Sequence, residues 1–389
     1  MPTVATKRQY SLGIWSFALG YFLSYVPYSG LSKAATSGLL TGGRPIPVAS
    51  IIPAASVSTA FTVLMFITVL RWWRYGRKRA VLGHNVLFPR RHAFISGIGF
   101  SMIIITTTLA YSFKGISIIL ALVLMRAGVL SMSPLIDWAY RRRIRWFSWA
   151  GLAISLIAVL ISFANMNDYR LTWLALLNLG AYLAGHVLRI PSMTRLAKTG
   201  GRDVACNYFV EEQSVAMPAI VLIPAILAVV SHGDIANQLR FGFAHLFDPS
   251  FAIFGWAIGF FYAALGIFLS FLYLDRRENT FCMPLFACSS LLSGIVASYL
   301  LLWFAHGPIP SGAQLTSAFV IIIALLIMSP LHHLPLYLRQ LREAISEERL
   351  RLVTLVDNSA VEQQVAPRQR AGCVITIDFN PIREILRKH

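Results

Sequence analysis

Apolar residues along this chain fall into repeated blocks of about twenty positions with few charges inside, divided by short polar links. Reading the blocks in order gives ten candidate spans, at 12–32, 47–70, 93–113, 116–138, 146–164, 171–190, 205–230, 251–273, 280–304 and 314–331. A helix rises 1.5 Å per residue, so about twenty residues cross a hydrocarbon core of roughly 30 Å. Lipid offers no partner to backbone N–H and C=O groups, and a run of this length in lipid is therefore a helix. The pattern predicts an all-α polytopic membrane protein with ten transmembrane helices.

Composition and charge sharpen that picture. Of 389 residues, 57% are hydrophobic and 13% charged, where soluble domains carry about 25% charge, and an ordinary soluble enzyme is excluded. The net charge of +18 does not point to nucleic acid, because most Lys and Arg sit in short links between apolar blocks. Alternate links, together with the two ends, hold 28 of the 34 Lys and Arg. By the positive-inside rule this places both termini in the cytoplasm and the protein in a cytoplasmic (inner) membrane. Lys7 and Arg8 precede an apolar run without a clear cleavage motif, which reads as a retained first helix. Cys206, Cys282, Cys288 and Cys373 form no CxxC pair, and the histidines, the adjacent His332 and His333 included, form no HExxH. No GxxxxGK[ST] motif is present. The reading is no metal, no cofactor, no ATP-driven step by this chain and no enzyme.

The stretch Ile144–Ile161 lines up with Ile309–Met328, each a short turn entering an apolar helix rich in small residues, and each closes a set of five spans. Five plus five, with an odd number per half, sets the halves in opposite membrane orientation as two inverted five-helix repeats. The domain reading is a cytoplasmic N-terminus at 1–11, repeats at 12–164 and 165–331, and a cytoplasmic tail at 332–389. In that tail Leu341, Ile345, Leu350 and Val353 interleave with charges, as in an amphipathic helix.

This layout resembles the drug/metabolite transporter superfamily, the EamA-like ten-helix carriers. The resemblance rests on LALVLMRAGVLSMSPLIDWAY (Leu120–Tyr140) followed by WFSWAGLAISLIAVLISF (Trp146–Phe163) in the first half. In the second half it rests on Leu171–Lys198, Phe251–Leu274 and Ser289–Met328. The links before the last helix of each half, RRRIRW and HGPIPS, lack the acidic residue that the family often has there. The resemblance implies alternating access around a central pocket lined by the first, third, fourth, sixth, eighth and ninth spans, with a small organic metabolite as cargo.

A few polar residues inside the apolar runs are candidates for the site. Arg126 sits near the middle of the fourth span, where a lone cation costs about 2.5–3.5 kcal/mol on insertion scales. Its planar fork suits a carboxylate or phosphate, and equally a salt bridge pinning two helices. Asn178, Tyr182 and His186 recur every four residues and share one face of the sixth span, as a pocket wall or as packing. Tyr21, Tyr25 and Tyr28 with Pro27 line the first span, in a pocket or at the interface. Glu211 and Glu212 enter the seventh span as candidates for proton coupling, or as an interfacial ion pair with Arg189, Arg195, Lys198 or Arg202 in the preceding link. Asp137 is expected to pair with the arginines that follow it, Lys33 and Lys114 to snorkel, and Gly255 and Gly259 to form a close helix contact.

The function expected is a secondary transporter of a small organic substrate, with an anionic group favoured by Arg126. Substrate-binding candidates are Arg126, His186, Tyr182, Asn178 and Tyr25. Two alternatives stay open: a flippase for lipid or lipid-linked sugar, and a non-transporting scaffold whose basic 71–92 loop and tail bind a cytoplasmic partner or anionic lipid. Membrane lipid is a partner in any case, nucleic acid is not, and a homodimer is open.

Overall fold

The apolar runs do become helices, with boundaries set by where polar links and capping partners interrupt them. A computed structural model describes residues 13–39, 45–81, 84–110, 118–164, 173–196, 202–305 and 312–328. The expectations for the N-terminus and the tail, with Lys114, Cys373, His332 and His333, lie outside these residues. The helices are α1 (Gly13–Thr36), α2 (Val48–Val69), α3 (Arg91–Leu109), α4 (Ile118–Ala139), α5 (Trp146–Ala164) and α6 (Trp173–Leu196). They continue with α7 (Arg202–Val230), α8 (Asp234–Ala244), α9 (Pro249–Leu274), α10 (Asn279–Ala305) and α11 (Gly312–Met328). Five stretches, Val48–Val69, Arg91–Leu109, Asp203–Val230, Ala252–Leu274 and Asn279–Phe304, are long and apolar enough to cross a membrane.

The outer surface fits that reading. Leu19, Phe61, Leu160, Leu222 and Ile253 are each more than half exposed, a surface for lipid tails rather than water. Exposed tryptophans lie at helix ends, Trp138 and Trp146 at one end of the bundle and Trp173 and Trp303 at the opposite ends of α6 and α10. Such rings prefer the headgroup level. The chain is a mostly helical polytopic membrane protein.

Three features depart from the sequence reading. The basic loop holds a 3₁₀ turn (Trp72–Tyr75) and an antiparallel hairpin, β1 (Lys78–Val81) with β2 (His84–Leu87), so the fold is not purely α. The link after α7 contains α8, which packs on α2 and α7 through Ala236, Leu239 and Gly242. Helix α6 runs past the expected end at 190 to Leu196, so Arg189, expected at the edge of the link, lies well inside the helix and is buried in the core.

The main helix neighbours are α1 with α9 and α10, α2 with α7 and α9, α3 with α6 and α7, α4 with α6 and α10, and α5 with α11. Number the ten long described helices in chain order and exchange the first five for the last five: each of these pairs maps onto another of them or onto itself, whereas the α5–α10 contact has no counterpart between α4 and α11. The α1–α9 contact becomes α6–α3, α2–α9 becomes α7–α3, and α1–α10 becomes α6–α4. The α2–α7, α4–α10 and α5–α11 contacts map onto themselves.

Small residues let the backbones meet. A Cβ at Gly99 would lie 2.7 Å from the Gly185 carbonyl oxygen, and one at Gly185 the same distance from that of Gly99. Gly255 and Gly259 of α9 face α2, where a Cβ on Gly259 would overlap the Ala55 carbonyl oxygen. The contact is sealed by Ser58 donating to the Trp256 carbonyl at 2.6 Å and Thr59 to that of Gly259 at 2.9 Å. Gly259→Leu should therefore push α2 from α9 at a cost of about 1–3 kcal/mol. A melting temperature in detergent equal to that of the parent protein would show that the contact is looser than it looks.

Candidate functional site

Arg126 projects from α4 into the place where α1, α6, α9 and α10 converge, and is 6% exposed. Its guanidinium lies 4.3 Å from the centre of the Phe286 ring. Nη1 reaches the Tyr182 hydroxyl at 3.5 Å and Nη2 the Tyr25 hydroxyl at 3.4 Å, both at the long limit for a hydrogen bond. Among the described residues no carboxylate is in ion-pair range of it. The salt bridge considered for this residue is not formed there, and a cation–π contact with two loose hydroxyl contacts takes its place.

Around the guanidinium the side chains close a circuit. Tyr182 meets His186 edge to face at 4.6 Å, His186 lies 6.5 Å from Tyr273, and Tyr273 lies 5.6 Å from Phe286, which returns to Arg126. Tyr21, Tyr25 and Tyr28 of α1 are buried rather than interfacial; Tyr21 packs on Phe286 at 5.4 Å, and Tyr28 on Tyr262 at 4.9 Å. His186 is fully buried, and both its ring nitrogens, like the Tyr273 hydroxyl, have no hydrogen-bond partner. Native interiors rarely leave polar atoms in this state without a ligand or water to meet them. Asn178, the third member of the α6 stripe, donates to the Thr106 carbonyl at 3.0 Å and ties α6 to α3. Of the five residues singled out for binding, Arg126, Tyr182, His186 and Tyr25 share one cluster, while the Asn178 amide is already engaged.

A second buried group lies toward the C-terminal half of α6. Arg189 meets Glu212 with both forks, at 2.9 and 3.0 Å, and both side chains are fully buried. Ser270 accepts from Arg189 at 2.8 Å, and Ser96 donates to Glu212 at 2.6 Å while accepting from Tyr208. The expected ion pair of the acidic doublet is thus real for Glu212, but it is in the core and not at the interface. Glu211 instead accepts the Arg90 backbone N–H at 3.0 Å, and its other oxygen has no partner.

At the same end, Asp137 accepts from the backbone N–H groups of Asn279 and Thr280 at 3.0 and 2.7 Å and from both of their side chains. It caps α10 from a different helix, and of the arginines that follow it Arg142 forms the expected ion pair, at 3.9 Å. Glu278 receives Arg145 through two bonds, at 2.8 and 3.0 Å, and Ser148 at 2.6 Å. Burial raises the Glu278 carboxyl, but the hydrogen bonds from Arg145 and Ser148 outweigh it and hold the group below the usual range. A carboxyl lowered on folding stabilises above its unfolded value and loses that contribution as pH falls through the folded value. Wild type should therefore lose more stability than Glu278→Gln between pH 5 and pH 3, and parallel melting curves over that interval would refute the assignment.

At this end Arg142 donates to the Arg276 carbonyl and joins the 140–145 and 275–278 links, and Asn207 of α7 donates to the Tyr75 carbonyl in the link after α2. Away from this basic end, a small cleft is lined by Ser56, Thr59, Ile104 and Thr108 together with Tyr28 and Tyr262, the last members of the tyrosine chain that leads from Arg126. Exposed Lys33 donates to Ser298 at 3.3 Å in the same half, as a snorkelling lysine does.

Sequence reasoning missed Tyr273 and Phe286, and it named Arg189 as a partner of the acidic doublet but placed it in a link rather than in the core. A charge three residues after His186 on one helical face is the signal that pointed to Arg189; the two aromatics are indistinguishable from packing residues by sequence.

No protein-family model matches this chain, and no curated protein matches it. A protein of known crystal structure superposes on it with a TM-score of 0.47 at 16% identity, over 81% of this chain and 99% of the other.

Proposed function

We propose that this protein is a secondary transporter that carries a small organic anion by alternating access, with Arg126 as the anion-binding group. The observation that carries the proposal is a buried guanidinium with no carboxylate among the described residues, held where five helices meet and facing a buried histidine with two idle nitrogens. Keeping a lone cation in such a place is costly, and a bound anion offsets the cost at each loading.

In this reading the ten long helices all span, as two inverted repeats, and the basic end with both termini faces the cytoplasm. The neighbour pairs that survive exchange of the halves support the repeats, and the joining of the basic 140–145 and 275–278 links supports the orientation. The family of EamA-like carriers remains the proposed relation. Alternating access then opens, in turn, the cleft beyond Tyr28 and Tyr262 and the polar contacts of the basic end.

The test compares detergent-purified wild type with Arg126→Gln against anionic, zwitterionic and cationic metabolites. A ligand bound to the native state raises its melting temperature by mass action. The expected result is stabilisation by an organic anion that the variant loses, with affinity reduced about 10–150-fold for one charged hydrogen bond of 1.5–3 kcal/mol. Uptake of that anion by proteoliposomes should fall in parallel. Equal stabilisation of both proteins, or stabilisation by cations alone, would remove Arg126 from the site.

A further inference from the structure

The geometry points to a site that selects organic monoanions bearing a neutral hydrogen-bonding group on their body, an inference that rests on the transport reading above. Its first part is charge balance. Arg126 and Arg189 are the two buried guanidinium groups near Tyr273, since Arg189 lies 5.8 Å from that ring and Phe286 bridges it to Arg126. Glu212 neutralises Arg189 through both of its oxygens, so this pair offers a ligand no net charge. One positive charge remains, and one negative charge makes the loaded site neutral. A dianion leaves a surplus charge in a medium where an uncompensated ion costs several kcal/mol.

The second part is the idle polar set. A neutral imidazole donates through one nitrogen and accepts through the other, and a phenol does both through its oxygen. The two His186 nitrogens and the Tyr273 hydroxyl meet none of these needs within the protein. They flank the guanidinium across Tyr182 and Phe286. A ligand whose charge docks on Arg126 therefore brings its body past His186, where a hydroxyl or amide satisfies what a hydrocarbon leaves unpaired. The walls between are aromatic, and aromatic probes suit them.

The full-length protein in detergent at pH 7.5 is melted with benzoate, 3- and 4-hydroxybenzoate, methyl phenyl phosphate, phenyl phosphate and phthalate at equal concentrations. Phenyl phosphate carries nearly two charges and its methyl ester one, so this pair isolates charge from shape. Benzoate and the methyl ester are expected to raise the melting temperature by about 3 °C or more, and phenyl phosphate and phthalate by less than about a third of that. Arg126→Gln should respond to none of them. At least one hydroxybenzoate should protect wild type more than benzoate does; in His186→Phe it should protect no more than benzoate, and His186→Gln, which retains a donor and an acceptor, should restore the difference. Protection by the dianions equal to that by the monoanions overturns charge selection and leaves the transport reading standing. Hydroxybenzoates no better than benzoate overturn the neutral-group assignment. If no probe acts through Arg126, the anion site itself falls, and this inference with it.

Discussion

Arg189→Met is expected to yield little folded protein, because it strands the Glu212 carboxylate in the core. Removing one partner of a buried ion pair costs about 3–5 kcal/mol, the penalty being the unpaired charge that stays behind. Glu212→Leu should be comparably damaging, since it leaves the guanidinium with Ser270 and the Phe100 face, 3.8 Å from its centre, as its remaining company. The double variant, with no buried charge to strand, should be more stable than either single one. The measurement is the monodisperse fraction and melting temperature of the four proteins in one detergent. If each single variant melts like wild type, the pair is not buried as described; if the double variant is the worst of the set, the pair is worth more than its isolated charges.

The second large effect is expected at Asp137. Its carboxylate gathers two backbone N–H groups and two side chains at the start of α10, all within 3.0 Å. Asp137→Ala leaves those donors buried and unmet, since Asn279, Thr280 and the aspartate are themselves buried. Losing a cap and stranding its donors together costs about 3 kcal/mol, or a fall of roughly 4 °C in melting temperature for a chain of 389 residues, at about 2.1 cal/mol/K of unfolding entropy per residue. Asp137→Asn keeps one acceptor oxygen and should retain about half of the stability at stake. An Ala variant that melts within a degree of wild type would mean that water replaces the carboxylate and that α10 is wetter at its start than this geometry allows. The same substitution also reports on function: α4 carries both Arg126 and Asp137, so loosening this contact should weaken anion binding less than Arg126→Gln does.

Much of the cluster around Arg126 was legible in the chain itself. Arg126, Tyr25, Tyr182 and His186 stand out because a polar group within an apolar run has to turn inward, and inward positions on several helices converge. What the sequence did not disclose was the company each would keep. Asp137 does pair with the neighbouring Arg142, at 3.9 Å, but its shorter bonds cap α10, whose first residues are 142 and 143 positions away. Glu212 was expected to pair at an interface and pairs in the core, because Arg189, expected at the edge of a link, lies well inside α6. Asn178 shares a helical face with His186 yet is spent on the Thr106 carbonyl. The hairpin and α8 escaped notice because both are short and carry too few apolar positions to rise above the pattern of the long runs.

The sequence by itself determined that this is a membrane protein of long helices, where those helices lie, and which few polar side chains are forced into their interior. These follow from run length and from the cost of unpaired polar groups in hydrocarbon, which are local quantities. It took the tertiary structure to show that Arg126 stands among tyrosines with no carboxylate in range among the described residues while Arg189 holds Glu212, and that His186 and Tyr273 are left with hydrogen bonds to give. Those outcomes depend on which helix faces meet across hundreds of residues, and close approach at Gly99, Gly185 and Gly259 sets those meetings in a way no local pattern encodes.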